Sequence, residues 1–270
     1  MYMYKEISNE RKAYLKKIRR NKTSITLCRI GIIVFFIAFW EIGGRFNIID
    51  SFVLSTPSRI VSVLANYKQN NLFLHISTTL FETGVGFCLG VILGTVIAIL
   101  LWYSPFLSKV SEPYLVVLNS LPKIALGPVI IIWVGAGTKA IIFMALAISM
   151  IVTVLEMLNG FINTDKELIK MLYTFGANRV QVFTKVVFPY NIETLFNSLK
   201  INIGLSLVGV IAGEFLVSKS GLGYLIVYGG QVFKMDLVMT SVIILAITAA
   251  LLYEIIVILQ KIVVKCINHR

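Results

Sequence analysis

The sequence predicts an all-α fold, a polytopic bundle of about six transmembrane helices, and three observations carry that prediction. Of the 270 residues, 57% are hydrophobic and only 14% are charged, against roughly 25% charged in soluble chains. The mean hydropathy is +0.87, more apolar surface than one soluble core of this length can cover. Six mostly apolar stretches recur along the chain, each near the length of about 20 residues that a helix needs to cross a bilayer.

Taken in order, the stretches are about Thr26–Gly44, Thr83–Tyr103, Tyr114–Trp133, Ala140–Gly160, Leu195–Val217 and Leu237–Leu259. The third is interrupted by Pro122, Lys123 and Pro128. Gly221–Phe233 is apolar but too short to span and rich in glycine, so it reads as a re-entrant or surface segment. Residues 1–25 form a basic amino-terminal tail, and 26–265 read as one transmembrane domain with a polar loop at about 161–193. In that loop, Thr164 and Glu167 have the spacing of a helix start. Gly176 breaks the helical pattern and Pro189 ends the next helix, so the loop reads as helix, bend, helix.

The net charge of +12 is concentrated, with nine of the 25 Lys and Arg in residues 1–29. A cation cluster directly before an apolar run is an anchor facing anionic lipid, with no aromatic-interleaved stripe for nucleic acid. With the amino terminus inside, 18 cations fall on inside segments and six on outside ones. The positive-inside rule then places both termini in the cytoplasm. The run ends in Phe39-Trp40-Glu41 rather than in small residues, so it reads as a retained span and not a cleaved signal.

Functional chemistry is sparse. Cys28, Cys88 and Cys266 form no paired motif, and His75 and His269 stand far apart. No metal site, cofactor site or catalytic motif is expected, and no nucleotide-binding Gly-x-x-x-x-Gly-Lys-Ser/Thr loop occurs. Gly86, Gly90 and Gly94 share one helix face and predict close packing against another helix, within the subunit or between subunits. Pro122 and Lys123 lie at membrane depth and are candidates for a pathway, with a snorkelling lysine as the alternative. Glu214 is a candidate for the outer path or its gate, with an interfacial carboxylate as the alternative. Glu82, Glu156 and Glu254 read as carboxylates near span ends.

The loop segment from Gly176 to Pro189 resembles the second half of the EAA loop of permease subunits of binding-protein-dependent ABC importers. That pattern is Glu-Ala-Ala, three residues, Gly, nine residues, Ile, one residue, Leu-Pro; here Gly176, Val186, Phe188 and Pro189 fall in register. The triplet itself reads Lys170-Met171-Leu172. Other stretches look like the nitrate, sulfonate and taurine branch of the family. They are Phe39-Trp40-Glu41, Ser55-Thr56-Pro57-Ser58, Leu121 to Pro128 with Trp133-Val134-Gly135, Gly209 to Leu216, and Ser220 to Tyr224. The resemblance covers about residues 39–265.

The resemblance implies the type I importer permease fold in a bacterial cell membrane. It implies two permease copies, two separate ATP-binding subunits docked on the loop, and an extracytoplasmic solute-binding protein. ATP would be bound by the partner subunits and not by this chain. Larger Met171 and Leu172 in place of two alanines, and Lys170 in place of the glutamate, imply either a partner cleft matched to them or a departure from the usual coupling. The solute could be nitrate, a sulfonate, taurine, bicarbonate or a pyrimidine-type precursor. The alternatives from other classes are an ion-coupled secondary transporter or channel, which would lean on internal repeats and intramembrane charge, and a membrane-embedded enzyme. The enzyme would need His, Asp or Glu clustered at one depth, and the carboxylates here are scattered.

The predicted topology is checked by labelling intact cells, in a chain lacking the native cysteines, at Lys5→Cys or Asn268→Cys. A membrane-impermeant maleimide should reach both only after permeabilisation. Labelling from outside would overturn the topology.

Overall fold

A computed structural model describes residues 9–268, apart from positions 47, 49, 67, 69 and 70. All regular structure among the described residues is helical. The chain divides into two compact units, Met1–Ala65 and Asn66–Arg270.

In the first unit, α1 (Asn9–Arg45) is one continuous helix of 37 residues. At 1.5 Å per residue it is about 55 Å long, well beyond the roughly 30 Å apolar core of a bilayer. The helix therefore carries the basic residues from Arg11 to Lys22 as well as the apolar run, and Lys5 lies outside the described residues. Two short helices follow, α2 (Ser51–Leu54) and α3 (Pro57–Ala65). The Trp40 indole donates to the Ser55 carbonyl at 3.2 Å. Glu41 accepts from the Ser58 amide at 3.0 Å, at the start of α3, and from Arg45 at 2.8 Å. The two segments Phe39-Trp40-Glu41 and Ser55-Thr56-Pro57-Ser58 are thus one hydrogen-bonded corner.

The second unit is built around three long helices: α4 (Leu72–Tyr103), α7 (Thr138–Ile162) and α11 (Ile192–Val217). Lipid gives no hydrophobic drive to helix association, so backbone approach and close packing decide it. The small residues supply both. A Cβ on Gly86 would meet Ala145, one on Gly90 would collide with the Ser149 side chain, and one on Gly94 would lie 2.7 Å from Thr153. The glycine face of α4 therefore packs within the subunit, along α7. From α11, a Cβ on Gly209 would lie 2.8 Å from the Ala145 Cα, and one on Gly213 3.1 Å from the Ile141 Cα. α7 is held between two glycine-bearing helices.

The remaining elements surround this core. α5 (Pro105–Ser120) and α6 (Gly127–Val134) replace the third span. Leu121 is extended before Pro122, as a residue preceding proline prefers, and a 3₁₀ turn Lys123–Leu126 follows. The two halves bend by 85°. Among the described residues, five helices are long and apolar enough to cross a membrane, or six if the bent pair counts as one span. α12 (Leu222–Gln231), ten residues long, packs on α13 (Met235–Asn268) and on α4. The loop between α7 and α11 holds α8 (Lys166–Thr174), α9 (Arg179–Val182), a π turn Phe183–Val187 and α10 (Phe188–Tyr190).

Three local expectations are corrected. α4 starts at Leu72 rather than near Thr83, so Glu82 lies well inside a helix and is fully buried instead of marking a span end. The N-cap of α8 is Asp165, which accepts from the Glu167 amide at 2.9 Å. Thr164 is buried, donates to the Gly160 carbonyl and accepts from Asn191 at 2.8 Å, so its hydroxyl is committed elsewhere. Pro189 does not end a helix. The widened π turn ahead of it absorbs the missing amide, and the break falls at Asn191.

The close α4–α7 contact predicts a graded result. Gly90→Leu should destabilise the folded protein by roughly 1–3 kcal/mol or more, as overpacking does, read as a lower melting midpoint in detergent. Gly84→Leu should be tolerated, since a Cβ there meets nothing within 4 Å. Equal behaviour of the two variants would remove the packing face.

Candidate functional site

The second unit has polar or exposed chemistry at both ends of its three-helix core. At one end lies the loop, and at the other a buried polar cluster.

The loop is fastened to the core by one aromatic side chain. Phe183 sits among Trp102, Phe161, Tyr103 and Phe188, with ring centroids 5.1, 5.3, 5.8 and 6.0 Å away. Val182 and Val187 are buried beside it with Ala98 and Met157. Asn178 and Gln181 form a reciprocal capping box at the start of α9. Gly176 has φ +79°, a left-handed conformation that glycine takes without a Cβ clash. There the chain turns from α8 to α9, with nothing near enough to hinder a side chain.

This geometry sorts the loop residues singled out by sequence. Leu172 and Ile169 turn inward and pack on the Phe183 cluster, as does Phe188. Lys170 and Met171 are exposed, and Phe175 is 81% exposed. Val186 is half-buried and Pro189 exposed. Of the triplet, Leu172 is partly buried against the Phe183 cluster, whereas Lys170 and Met171 are exposed.

At the far end, Glu214 is 1% exposed near the end of α11. Its Oε1 accepts from the Thr79 hydroxyl at 2.6 Å, and its Oε2 from the Gly223 amide at 2.5 Å. Thr79 accepts in turn from the Leu222 amide at 2.8 Å, and His75 Nδ1 from the Gly221 amide at 3.0 Å. The His75 ring stacks on Tyr224, and Tyr224 on Tyr228, at 5.7 and 5.9 Å. The carboxylate thus faces the first amides of α12, where unpaired N–H groups and the helix dipole favour negative charge. Gly221 has φ +117°, and a Cβ there would overlap the Glu214 carboxylate. Glu82 is buried beside this carboxylate, within reach of both Glu214 and Thr138.

The other sequence candidates separate. Lys123 folds back on the preceding turn, donating to the Asn119 carbonyl and amide oxygen at 2.9 and 3.2 Å. Its ammonium satisfies a carbonyl near the end of α5, and it shares no bond with Glu214 among the described residues. Pro122 sits at the bend itself. Gly86, Gly90 and Gly94 lie in the core between the two ends. Sequence reasoning missed His75, Thr79 and Glu82, although their spacing of four and three residues marks one helix face. It also missed Phe183 and Trp102, which nothing in their local sequence sets apart.

Comparison with known proteins agrees with this architecture. The family described as "Binding-protein-dependent transport system inner membrane component" matches residues 86–269. Among similar proteins is the formylaminopyrimidine transport permease protein ThiX of Halalkalibacterium halodurans, 26% identical, covering 68% of this chain and 74% of its own. The putative aliphatic sulfonates transport permease protein SsuC of Bacillus subtilis is 25% identical, covering 86% and 84%. The taurine transport system permease protein TauC of Escherichia coli is 24% identical, covering 83% of each. A chain of the inward-facing MetNI methionine ABC transporter superposes with a TM-score of 0.64 at 19% identity, covering 72% of this chain and 98% of that one. The chain belongs to the binding-protein-dependent inner membrane permease family, whose members are transporter subunits and not enzymes.

The polar cluster predicts a local effect of Thr79→Val. The change leaves the Glu214 carboxylate and the Leu222 amide each short of a buried partner, at a cost of roughly 1–3 kcal/mol. Hydrogen exchange at Leu222 and Gly223 should quicken on the order of tenfold to a hundredfold, while Thr79→Ser stays near the parent. Unchanged exchange in the valine variant would show that the cluster does not hold α12.

Proposed function

We propose that this permease subunit pairs with a second copy to form the pathway for a small polar solute. A separate ATPase docked on Lys170–Pro189 drives it, and a solute-binding protein delivers the cargo at the opposite face. Family membership supports the permease role and implies both partners. The observation that carries the docking assignment is the division of α8 and its turn. Ile169 and Leu172 anchor the loop to the span ends, while Met171, Phe175 and Val180 present exposed apolar surface outside the spans. Such a patch on a segment outside the bilayer marks a protein contact, and a channel or secondary transporter has no need of one.

The mechanism follows from how the loop is attached. Phe183 joins it to the ends of both α4 and α7, so a push on α8 reaches two packed helices together. No nucleotide-binding motif occurs in the chain, which leaves ATP to the partner. α5 has no buried residue, and Ile132 and Trp133 on α6 are 80% and 77% exposed. That broken pair supplies apolar surface for the second copy. The cargo belongs to the class carried in the relatives' names, small sulfonates, taurine or an aminopyrimidine.

Gly176→Val tests the reading. A β-branched residue held at positive φ costs on the order of 1–2 kcal/mol, and the relief is a redirected α8. Insertion into vesicles should be normal, and ATP hydrolysis stimulated by loaded binding protein should fall about tenfold. Gly176→Asn, which tolerates the left-handed region, should retain most of it. The solute that stimulates the parent identifies the cargo. Full stimulation in the valine variant, or an active complex that contains no ATPase, would overturn the proposal.

A further inference from the structure

A cleft in the second unit lies on the membrane side of α8, between that helix and the loop-side ends of α4, α5 and α7. Its volume is about 720 Å³. One wall is apolar, with Leu115, Leu155, Leu158 and Ile162 running along the spans. The mouth carries two cations, Lys109 and Arg179, and one carboxylate, Glu112.

The Arg179 guanidinium is held by neutral groups. It lies 5.6 Å over the Trp102 ring and 6.0 Å from the Tyr103 ring, and it donates to the Trp102 carbonyl at 3.4 Å. Neither Arg179 nor Lys109 forms an ion pair among the described residues. Two cations without a direct ion pair therefore line one cleft and outnumber its single carboxylate, Glu112, beside the aromatic residues Trp102, Tyr103 and Tyr173 that favour the interface between lipid tails and water.

We propose that this cleft seats one anionic phospholipid of the phosphatidylglycerol type, from the leaflet on the loop side. The two cations hold the phosphate, as basic pockets between spans do. The Glu112 carboxylate and the Ser108 hydroxyl take the glycerol hydroxyls, and the apolar wall takes an acyl chain. A choline head brings a bulky cation towards Lys109 and Arg179 and no donor for Glu112, so phosphatidylcholine is disfavoured. Because Ile169 and Tyr173 also line the cleft, the bound lipid braces α8 from behind. The proposal needs only the membrane placement of the chain, so it can fail or stand apart from ATPase docking.

Native mass spectrometry of the full-length permease, without ATPase, tests it with phosphatidylglycerol, phosphatidylcholine and inorganic phosphate as probes. One phosphatidylglycerol should be retained per chain, with phosphatidylcholine and phosphate lost. Arg179→Gln and Lys109→Gln should each weaken retention roughly fivefold, as loss of one cation near an anionic headgroup does. Lys109 is exposed on α5, so its variant does not depend on refolding of the loop. Lys16→Gln with Lys17→Gln on α1 should leave retention unchanged. Equal retention of phosphatidylcholine, stepwise weak adducts insensitive to Lys109 and Arg179, or loss of the lipid in the α1 variant would each overturn the assignment.

Discussion

The approach of two glycine-bearing helices to Ala145 is the constraint on which the rest of the second unit depends. Gly86 reaches Ala145 from α4, and Gly209 reaches it from α11. In lipid an apolar side chain gains little by moving from tails to protein, so contact area at short range has to do what hydrophobic burial does in water. Small residues at the crossing make that contact possible. They also fix the rotation of α4 and α11 about their axes. With Gly86, Gly90 and Gly94 facing α7, the rotation of α4 that brings Thr79 to the Glu214 carboxylate is set at the same time. At the other end it sets Trp102 and Tyr103 against Phe183.

The two ends use different physics for the same purpose. The loop end is bound by aromatic contacts and an apolar cluster, in which Phe183 touches four other rings. The far end is bound by hydrogen bonds, because α12 begins there and its first amides must find acceptors. Glu214 and Thr79 supply them, and a buried carboxylate that would be costly alone is stabilised by facing them. Substitution at the first end removes area, whereas substitution at the second leaves unpaired groups. The second is the less forgiving.

Much of this was legible in the sequence wherever the signal was local. Apolar run length located the spans, the four-residue spacing of glycines marked the packing face, and Gly176 marked the turn between α8 and α9. What was not legible depended on partners distant in the chain. His75, Thr79 and Glu82 interrupt an apolar run, so hydropathy placed them outside a helix that in fact begins at Leu72. Their partners at Glu214 and Gly221–Gly223 lie more than 130 positions on. Thr164 and Asp165 are equally good caps by residue type. The choice is made by Asn191, which engages the Thr164 hydroxyl. Leu172 looks like an outward residue of the triplet until Phe183 gives it somewhere inward to go.

α4 carries both ends on one rod. Thr79 lies 11 residues from Gly90, in the glycine face that packs on α7, which is about 16 Å along the axis at 1.5 Å per residue. A tilt of about five degrees pivoting at that crossing would move Thr79 sideways by about 1.4 Å. Its hydrogen bond to Glu214 is 2.6 Å long, and a shift of that size directed away from the carboxylate would stretch it to about 4 Å, beyond donor range. Because α4 carries groups of both ends on one rod, a rotation of a few degrees about its middle is, by geometry alone, a displacement of more than an ångström at Thr79.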